Sequence, residues 1–195
     1  MKSKFLFTLA AVLTTTAAHA SELVLPDSCG SDKVTFEVST KKSPGALSSP
    51  ADGKARIVFL DVRDRPRFGE ANFVARYGVD GAWAGATKGD SYFTFDVDPG
   101  ERHLCASVQH YVGMGREQKD FIAMYKLTAE AGKIYYIEYS GGVEGGRVRA
   151  GTDAAGNPRA IRVGGQINAA LAPADEEEGK YRAKSTEIAV FTKWP

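Results

Sequence analysis

The side chains best suited to metal or redox chemistry are few in this chain: the cysteines Cys29 and Cys105, and, beyond the first 20 residues, the histidines His103 and His110. No CxxC motif is present, and neither cysteine has a histidine at metal-ligand spacing. On a continuous strand, the odd separation of the two histidines would send them to opposite faces. An even pair of cysteines in an exported protein favours one disulfide, with a metal pair or a reactive thiol as the alternatives.

Other motifs contain the residue types of a binding site without the spacing that such a site needs. The glycines of SGGVEGGRVRAG match neither the dinucleotide fingerprint nor the P-loop. The acids of ADEEEG are consecutive, whereas calcium loops space their carboxylates along the chain. No GxSxG nucleophile motif is present. We therefore predict no cofactor, no metal and no catalytic residue, and we note the arginines of RDRPRF as a possible contact for an anionic polymer.

Three aromatic residues beside predicted turns, Tyr77, Trp83 and Tyr92, form the candidate ligand surface. Exposed together, their rings would bind a sugar or a peptide with little loss of conformational entropy. The alternative is that they pack in the core, since large apolar residues in strands usually face inward.

The first 20 residues have the pattern of a signal peptide. Lys2 and Lys4 precede an apolar run over residues 5–13, and the small-x-small motif AHA ends the segment. We therefore predict cleavage before Ser21 and a periplasmic or secreted protein. The apolar run is shorter than the roughly 20 residues that a transmembrane helix needs, so we do not expect the chain to span a membrane.

The remaining chain, residues 21–195, reads as a succession of short strands. SDKVTFEVST alternates apolar and polar residues, as a half-buried strand does, and KARIVFLDV is apolar at nearly every position, as a central strand covered on both faces is. Turn signals recur about every ten residues, which indicates an all-β sandwich. We predict an N-terminal strand and a Pro/Ser/Gly linker over residues 21–53, and an immunoglobulin- or prealbumin-like β-sandwich domain over residues 54–195.

Local signals refine this arrangement. Asp80-Gly81 suits a primed hairpin turn, and Asp98-Pro99-Gly100 suits a type II turn that we read as the end of a hairpin. Residues 141–165 read as a glycine-rich hairpin. PADEEEGKYRAKSTE is the candidate helix, with Pro173 near its first turn and acids near its positive N-terminal end. IAVFTKW would be the last strand.

A series of short motifs runs over residues 54–139. Its members are Asp80-Gly81, Gly85, Tyr92-Phe93, Pro99-Gly100, His103, Gly132-Lys133 and Tyr135-Tyr136. Their order resembles the bacterial family known as domain of unknown function 2846, in the branch that exported acidobacterial proteins form, and it is also similar to PEGA-type surface modules. The resemblance implies a β-sandwich and export, and it assigns no activity and no catalytic residue.

The charge of the chain argues against one class of function, the binding of nucleic acid. Loss of the signal peptide would remove two of the 25 basic side chains and none of the 24 acidic ones, which leaves a net charge of −1. No global field would then attract nucleic acid. We expect a non-enzymatic envelope module that binds an envelope protein or polysaccharide, or that serves as an accessory or structural domain. The alternative is a carboxylate-dependent hydrolase acting on an envelope polymer.

Overall fold

The computed structural model describes residues 29–61, 73–109, 122–144, 147–152, 158–163 and 166–195. Most of these residues lie in strands of two sheets, and one short helix lies near the C-terminus. The predicted all-β fold with a short C-terminal helix is confirmed. The predicted signal peptide with Ser21, the RDRPRF loop and His110 lie outside the described residues. Within those residues, the structure contains no helix that is both long enough and apolar enough to cross a membrane.

The strands and the helix are β1 (Thr35–Lys41), β2 (Ala55–Asp61), β3 (Val74–Val79), β4 (Ala82–Lys88), β5 (Ser91–Val97), β6 (Gly100–Val108), β7 (Ala123–Ala129), β8 (Ile134–Glu144), β9 (Arg147–Thr152), β10 (Pro158–Val163), β11 (Gln166–Ala174), α1 (Glu176–Ser185) and β12 (Glu187–Trp194). Six strands form the larger sheet, in the order β1-β12-β5-β2-β8-β11, and four form the smaller sheet, in the order β4-β3-β6-β7. Among the described residues, β9 and β10 pair with each other alone.

The two strands with the clearest sequence patterns form as predicted. In β1, Phe36 and Val38 are buried in the core, and Glu37 between them is exposed. The strand β2 is buried at six of its seven positions, because it lies between β5 and β8 and is covered on both faces. Its inward residues pack against the smaller sheet, and its outward residues pack beneath the helix.

The N-terminal strand is part of the sandwich. It pairs with β12 over all seven of its residues, and its apolar side chains join the main core. Two neighbouring pairs of strands in the larger sheet, β12 with β5 and β2 with β8, are parallel. Each of these pairs joins strands that are far apart in the chain.

One predicted turn closes a hairpin, and the other connects the two sheets. Asp80 and Gly81 have φ values of 49° and 85°, as a type I′ turn requires, and they join the paired strands β3 and β4. Gly100 has a φ of 117°, which fits the predicted type II turn at Asp98-Pro99-Gly100. The prediction of a hairpin there is wrong, because β5 belongs to the larger sheet and β6 to the smaller one.

The helix α1 covers the outer face of the larger sheet. Asp175 caps it by accepting a hydrogen bond from the backbone of Glu178, and three glutamates occupy its first turn, as predicted. Pro173 does not begin the helix and lies in β11 instead. A Cβ built at Gly179 would overlap the ring of Tyr136, so glycine permits the close approach of helix and sheet.

Candidate functional site

Residues 29–34, which we call the strap, cross the outer face of the smaller sheet. Cys29 and Cys105 form a disulfide with a Cα–Cα distance of 5.0 Å, and both side chains are fully buried. Cys105 lies on β6, opposite Met124 of β7. The predicted disulfide is therefore present, and no described cysteine is free to act as a thiol.

Trp83 on β4 holds the middle of the strap. Its indole Nε1 donates a hydrogen bond of 2.6 Å to the carbonyl of Ser31. Gly30 has a φ of 103°, and a Cβ added there would press on the indole at 3.0 Å, so a side chain would be strained by both conformation and space. The strap therefore depends on glycine to lie flat over the tryptophan.

Arg76 on β3 holds the end of the strap. Its Nη1 donates to the carbonyls of Asp32 and Val34 at 3.2 and 2.6 Å. The guanidinium carbon lies 4.5 Å from the centre of the Trp83 ring, the geometry of a cation–π contact. The arginine and the tryptophan thus form one buried unit beneath the strap.

This guanidinium is unusually enclosed for a charged group. Arg76 is 1 % exposed, and its Nε and Nη2 have no hydrogen-bond partner among the described residues. Burial lowers the pKa of Arg76 to about 10, which still leaves it charged at neutral pH. The edge formed by Nε and Nη2 is the edge that would bind a carboxylate in a bidentate manner, but it is closed to solvent here.

Gln109, just after β6, fixes the first strand that follows the strap. Its side-chain Oε1 accepts from the backbone N–H of Phe36 at 2.7 Å, and its Nε2 donates to the Phe36 carbonyl at 3.0 Å. The amide therefore occupies the position that a neighbouring strand would take at the edge of β1.

The three candidate ligand residues lie in three different layers. Tyr77 is fully buried between the sheets, where its ring contacts the rings of Phe59 and Phe93. Trp83 is 5 % exposed beneath the strap. Tyr92 is 1 % exposed on the outer face of the larger sheet, and its hydroxyl is 3.0 Å from the Ser43 hydroxyl. The candidate aromatic ligand surface is therefore wrong, and the core alternative is correct, because Tyr77 and Trp83 pack in the main core and Tyr92 packs in the smaller cluster beneath the helix.

A polar network lies at one end of the core. Asp61, at the end of β2, is 2 % exposed, and its Oδ2 accepts a 3.2 Å hydrogen bond from the hydroxyl of Thr87. The Thr87 hydroxyl is also 3.1 Å from that of Tyr77. Ser91 is fully buried and bonds the backbone of Lys88. Hydroxyl partners stabilise a buried carboxylate, and a carboxylate in this position could also orient a bound polar group.

The exposed charges form ion pairs on the surface. His103 is exposed, as expected for a solvent-facing strand residue, and its Nε2 is 3.2 Å from Glu101 Oε1. Lys126 contacts the other oxygen of Glu101 at 2.8 Å. Hydrogen bonds from Lys126 and then His103 lower the pKa of Glu101. In the part of the chain that the structure describes, no group of three or more His, Cys, Asp or Glu side chains is arranged to hold a metal ion.

The sequence reasoning missed Arg76, Asp61 and Gln109. A signal existed for the first two, because each is a charged residue in an otherwise apolar strand, FVARYGV and ARIVFLD. A charge in such a run must find a buried partner or lie near a ligand. No protein-family model, curated protein or solved structure matches this chain.

Proposed function

We propose that this protein is an exported, non-enzymatic β-sandwich module of the bacterial envelope and that it binds a protein partner through the ribbon formed by β8 to β11. The observation that carries the proposal is the length of this ribbon beyond the sandwich. The fully buried disulfide supports an oxidising compartment.

The ribbon runs in one register well past the sheet. The strands β8 and β11 pair from Tyr136 with Ala174 to Glu144 with Gln166, and β9 and β10 continue the same register as far as Thr152 with Pro158. Among the described residues, the neighbouring strand β2 pairs with β8 as far as Tyr139. The outer part of the ribbon therefore has two strands and two open edges among the described residues.

A two-stranded ribbon in water is marginally stable by itself. Leu171, near the base of the ribbon, is buried. Contact with a partner would stabilise such an element, since an open edge binds an extended segment through backbone hydrogen bonds.

The burial of the three candidate aromatic residues removes the support that they would have given to a polysaccharide ligand. Sugars are commonly bound on exposed aromatic faces, and Tyr77, Trp83 and Tyr92 are all buried. An open strand edge binds peptide groups, which a polysaccharide does not offer.

The test compares the protein with a variant in which residues 141–169 are replaced by an Asn-Gly turn. Immobilised protein is exposed to solubilised envelope proteins and, separately, to isolated cell-wall polysaccharide. We expect specific protein capture by the natural chain, loss of capture by the variant, and closely similar unfolding temperatures. Equal capture by the variant would exclude the ribbon as the contact, and capture of polysaccharide alone would overturn the choice of partner.

The alternative, a carboxylate-dependent hydrolase, would use Asp61, the buried carboxylate of the described residues. Hydrolysis of a cell-wall polymer that is abolished by Asp61→Asn, with the fold retained, would favour it. The proposed binding function requires no such activity.

A further inference from the structure

Two Asp-Gly pairs lie in tight turns of this protein, and the structure holds them differently. One pair is Asp52-Gly53, just before β2, and the other is Asp80-Gly81, between β3 and β4. An Asp-Gly pair can react with itself, because glycine has no side chain to shield its amide nitrogen from the carboxyl carbon of the preceding aspartate. The surroundings of each aspartate therefore decide which pair reacts.

The carboxylate of Asp80 is bonded at both oxygens. Arg102 Nη1 donates to its Oδ2 at 2.7 Å, and the backbone N–H of His103 donates to its Oδ1 at 2.8 Å. The backbone N–H of Asp80 also donates to the His103 carbonyl at 2.9 Å, which ties the turn to β6. A reaction at this side chain would require both donors to be released first.

The carboxylate of Asp52 has no such partners. Asp52 is exposed, and within the described residues neither a hydrogen bond nor an ion pair holds its side chain. Gly53 is exposed too, and its N–H donates to no acceptor in the same part of the chain. No atom beyond the chain neighbours of Gly53 lies within 4 Å of a Cβ built on it. The two groups that would react are therefore both accessible.

A single backbone hydrogen bond closes the turn at Asp52. The N–H of Lys54 donates to the Ala51 carbonyl at 2.9 Å, and Gly53 has a φ of 73°, as the third residue of a type II turn does. Local opening of this one bond is enough to let the Gly53 amide rotate towards the Asp52 side chain.

We propose that Asp52-Gly53 is a self-modification site at which aspartate is converted to isoaspartate, and that Asp80-Gly81 is protected from this change. The Gly53 nitrogen bonds to Cγ of Asp52, and one carboxyl oxygen leaves as water with the amide proton and a proton from solvent. Water then breaks the bond from this nitrogen to the former backbone carbonyl, and a proton returns to solvent. The main chain now runs through Cβ and Cγ of Asp52, and its mass is unchanged.

The change would disturb the contacts of this turn with the larger sheet. Isoaspartate inserts one carbon atom into the main chain, so the hydrogen bond between Lys54 and Ala51 loses its geometry. Ala51 also donates its N–H to Asp96 Oδ2 at 3.0 Å, and Asp96 accepts from Arg56 at 2.6 and 2.8 Å. The modified turn would therefore weaken its attachment to the Arg56–Asp96 ion pair.

Peptide mapping of the folded protein after prolonged incubation at neutral pH tests the assignment. Trypsin releases residues 43–54 and residues 77–88 as two peptides of equal length, each with one Asp-Gly pair and no other aspartate. Reversed-phase chromatography separates the isoaspartyl form of each peptide from the aspartyl form of the same mass. The same two peptides, incubated free in solution, give the reaction rates without the fold.

We expect isoaspartate to form at Asp52 at least about tenfold faster than at Asp80 in the folded protein, because the charged hydrogen bond from Arg102 must break before Asp80 can react. The free peptides should react at similar rates. Arg102→Ala should raise the rate at Asp80 and leave that at Asp52 unchanged. The control is Lys126→Ala, which removes a lysine paired with Glu101 and should change neither rate.

Equal rates at the two sites of the folded protein would overturn the proposal. An Asp52 that stays unmodified while its free peptide reacts would overturn it as well. An unchanged rate at Asp80 in the Arg102→Ala variant would overturn the reason given for the protection. The comparison within the natural chain needs no variant, so a variant that fails to fold does not obscure the result.

Discussion

Removal of the disulfide should destabilise the protein strongly. The variant is Cys29→Ala with Cys105→Ala, and alanine is chosen because serine would place an unpaired hydroxyl in a site that is fully buried. The fold should survive, since Trp83 and Arg76 still hold the strap through main-chain carbonyls.

The magnitude follows from the length of chain that the bond closes. The two cysteines are 76 residues apart. In the chain-entropy model, a loop of that length lowers the entropy of the unfolded chain enough to contribute about 4.5 kcal/mol at 25 °C. For a chain of this size, such a loss lowers the unfolding temperature by roughly 9–18 °C.

Urea unfolding, followed by far-ultraviolet circular dichroism, measures the change. The single variant Cys105→Ala is the control, because it lacks the bond equally and should agree with the double variant within about 1 kcal/mol. A loss of less than about 1 kcal/mol in the double variant would refute the reasoning. The strap would then be held by its hydrogen bonds and packing alone.

Three further predictions concern the helix, an ion pair and a strand edge. Gly179→Ala should lower the free energy of unfolding, measured in urea, by about 1–3 kcal/mol, because the added methyl group would force the helix off the sheet despite the better helix propensity of alanine. The control, Lys180→Ala on the exposed side of the helix, should change this free energy by less than about 0.5 kcal/mol. Equal effects of the two substitutions would contradict the packing argument. The side-chain hydrogen bond from Arg56 lowers the pKa of Asp96, so this ion pair stabilises the fold above about pH 4 and loses that contribution as the pH falls through the lowered pKa of the folded state. Asp96→Asn should therefore make the free energy of unfolding less dependent on pH on the acid side. An unchanged pH profile would show that this pair does not cause the acid dependence. Gln109→Ala should lower the free energy of unfolding by about 1–3 kcal/mol, measured by heat or urea, because the backbone N–H and C=O of Phe36 lose their hydrogen-bond partner. An unchanged stability would show that water replaces the amide.

Much of the local structure could be predicted from the sequence, because strands and turns follow short-range rules. The alternation around Phe36, the apolar run of β2 and the Asp80-Gly81 turn each depend on residues close in the chain. The start of the helix could be predicted for the same reason, because its cap, Asp175, and its acidic first turn are adjacent in the sequence.

The sheet assignment could not be predicted, because a turn does not specify which strands pair. Asp98-Pro99-Gly100 has the same backbone requirement in a hairpin as in a connection between sheets. The pairing of β12 with β5 joins residues about a hundred positions apart and has no local signature.

The prediction of an aromatic ligand surface was wrong for a related reason. The sequence shows that aromatic residues lie near turns, but whether their rings are exposed depends on which distant parts of the chain cover them in the folded protein. The strap covers Trp83 and the opposite sheet covers Tyr77, and both arrangements depend on contacts between distant residues. Arg76 and Asp61 are polar residues that the structure buries, because each finds a partner far away in the chain: Arg76 bonds the Val34 carbonyl of the strap, and Asp61 bonds Thr87 of β4.

Site-specific photo-crosslinking in the native envelope tests the central claim most directly. A photoreactive residue is placed at Ile161 in the ribbon and, as the control, at Lys180, which is half-exposed on the helix. The proposed function predicts a discrete protein adduct from the ribbon position and none from the helix position. The absence of a ribbon adduct, or the same adducts from both positions, would contradict it.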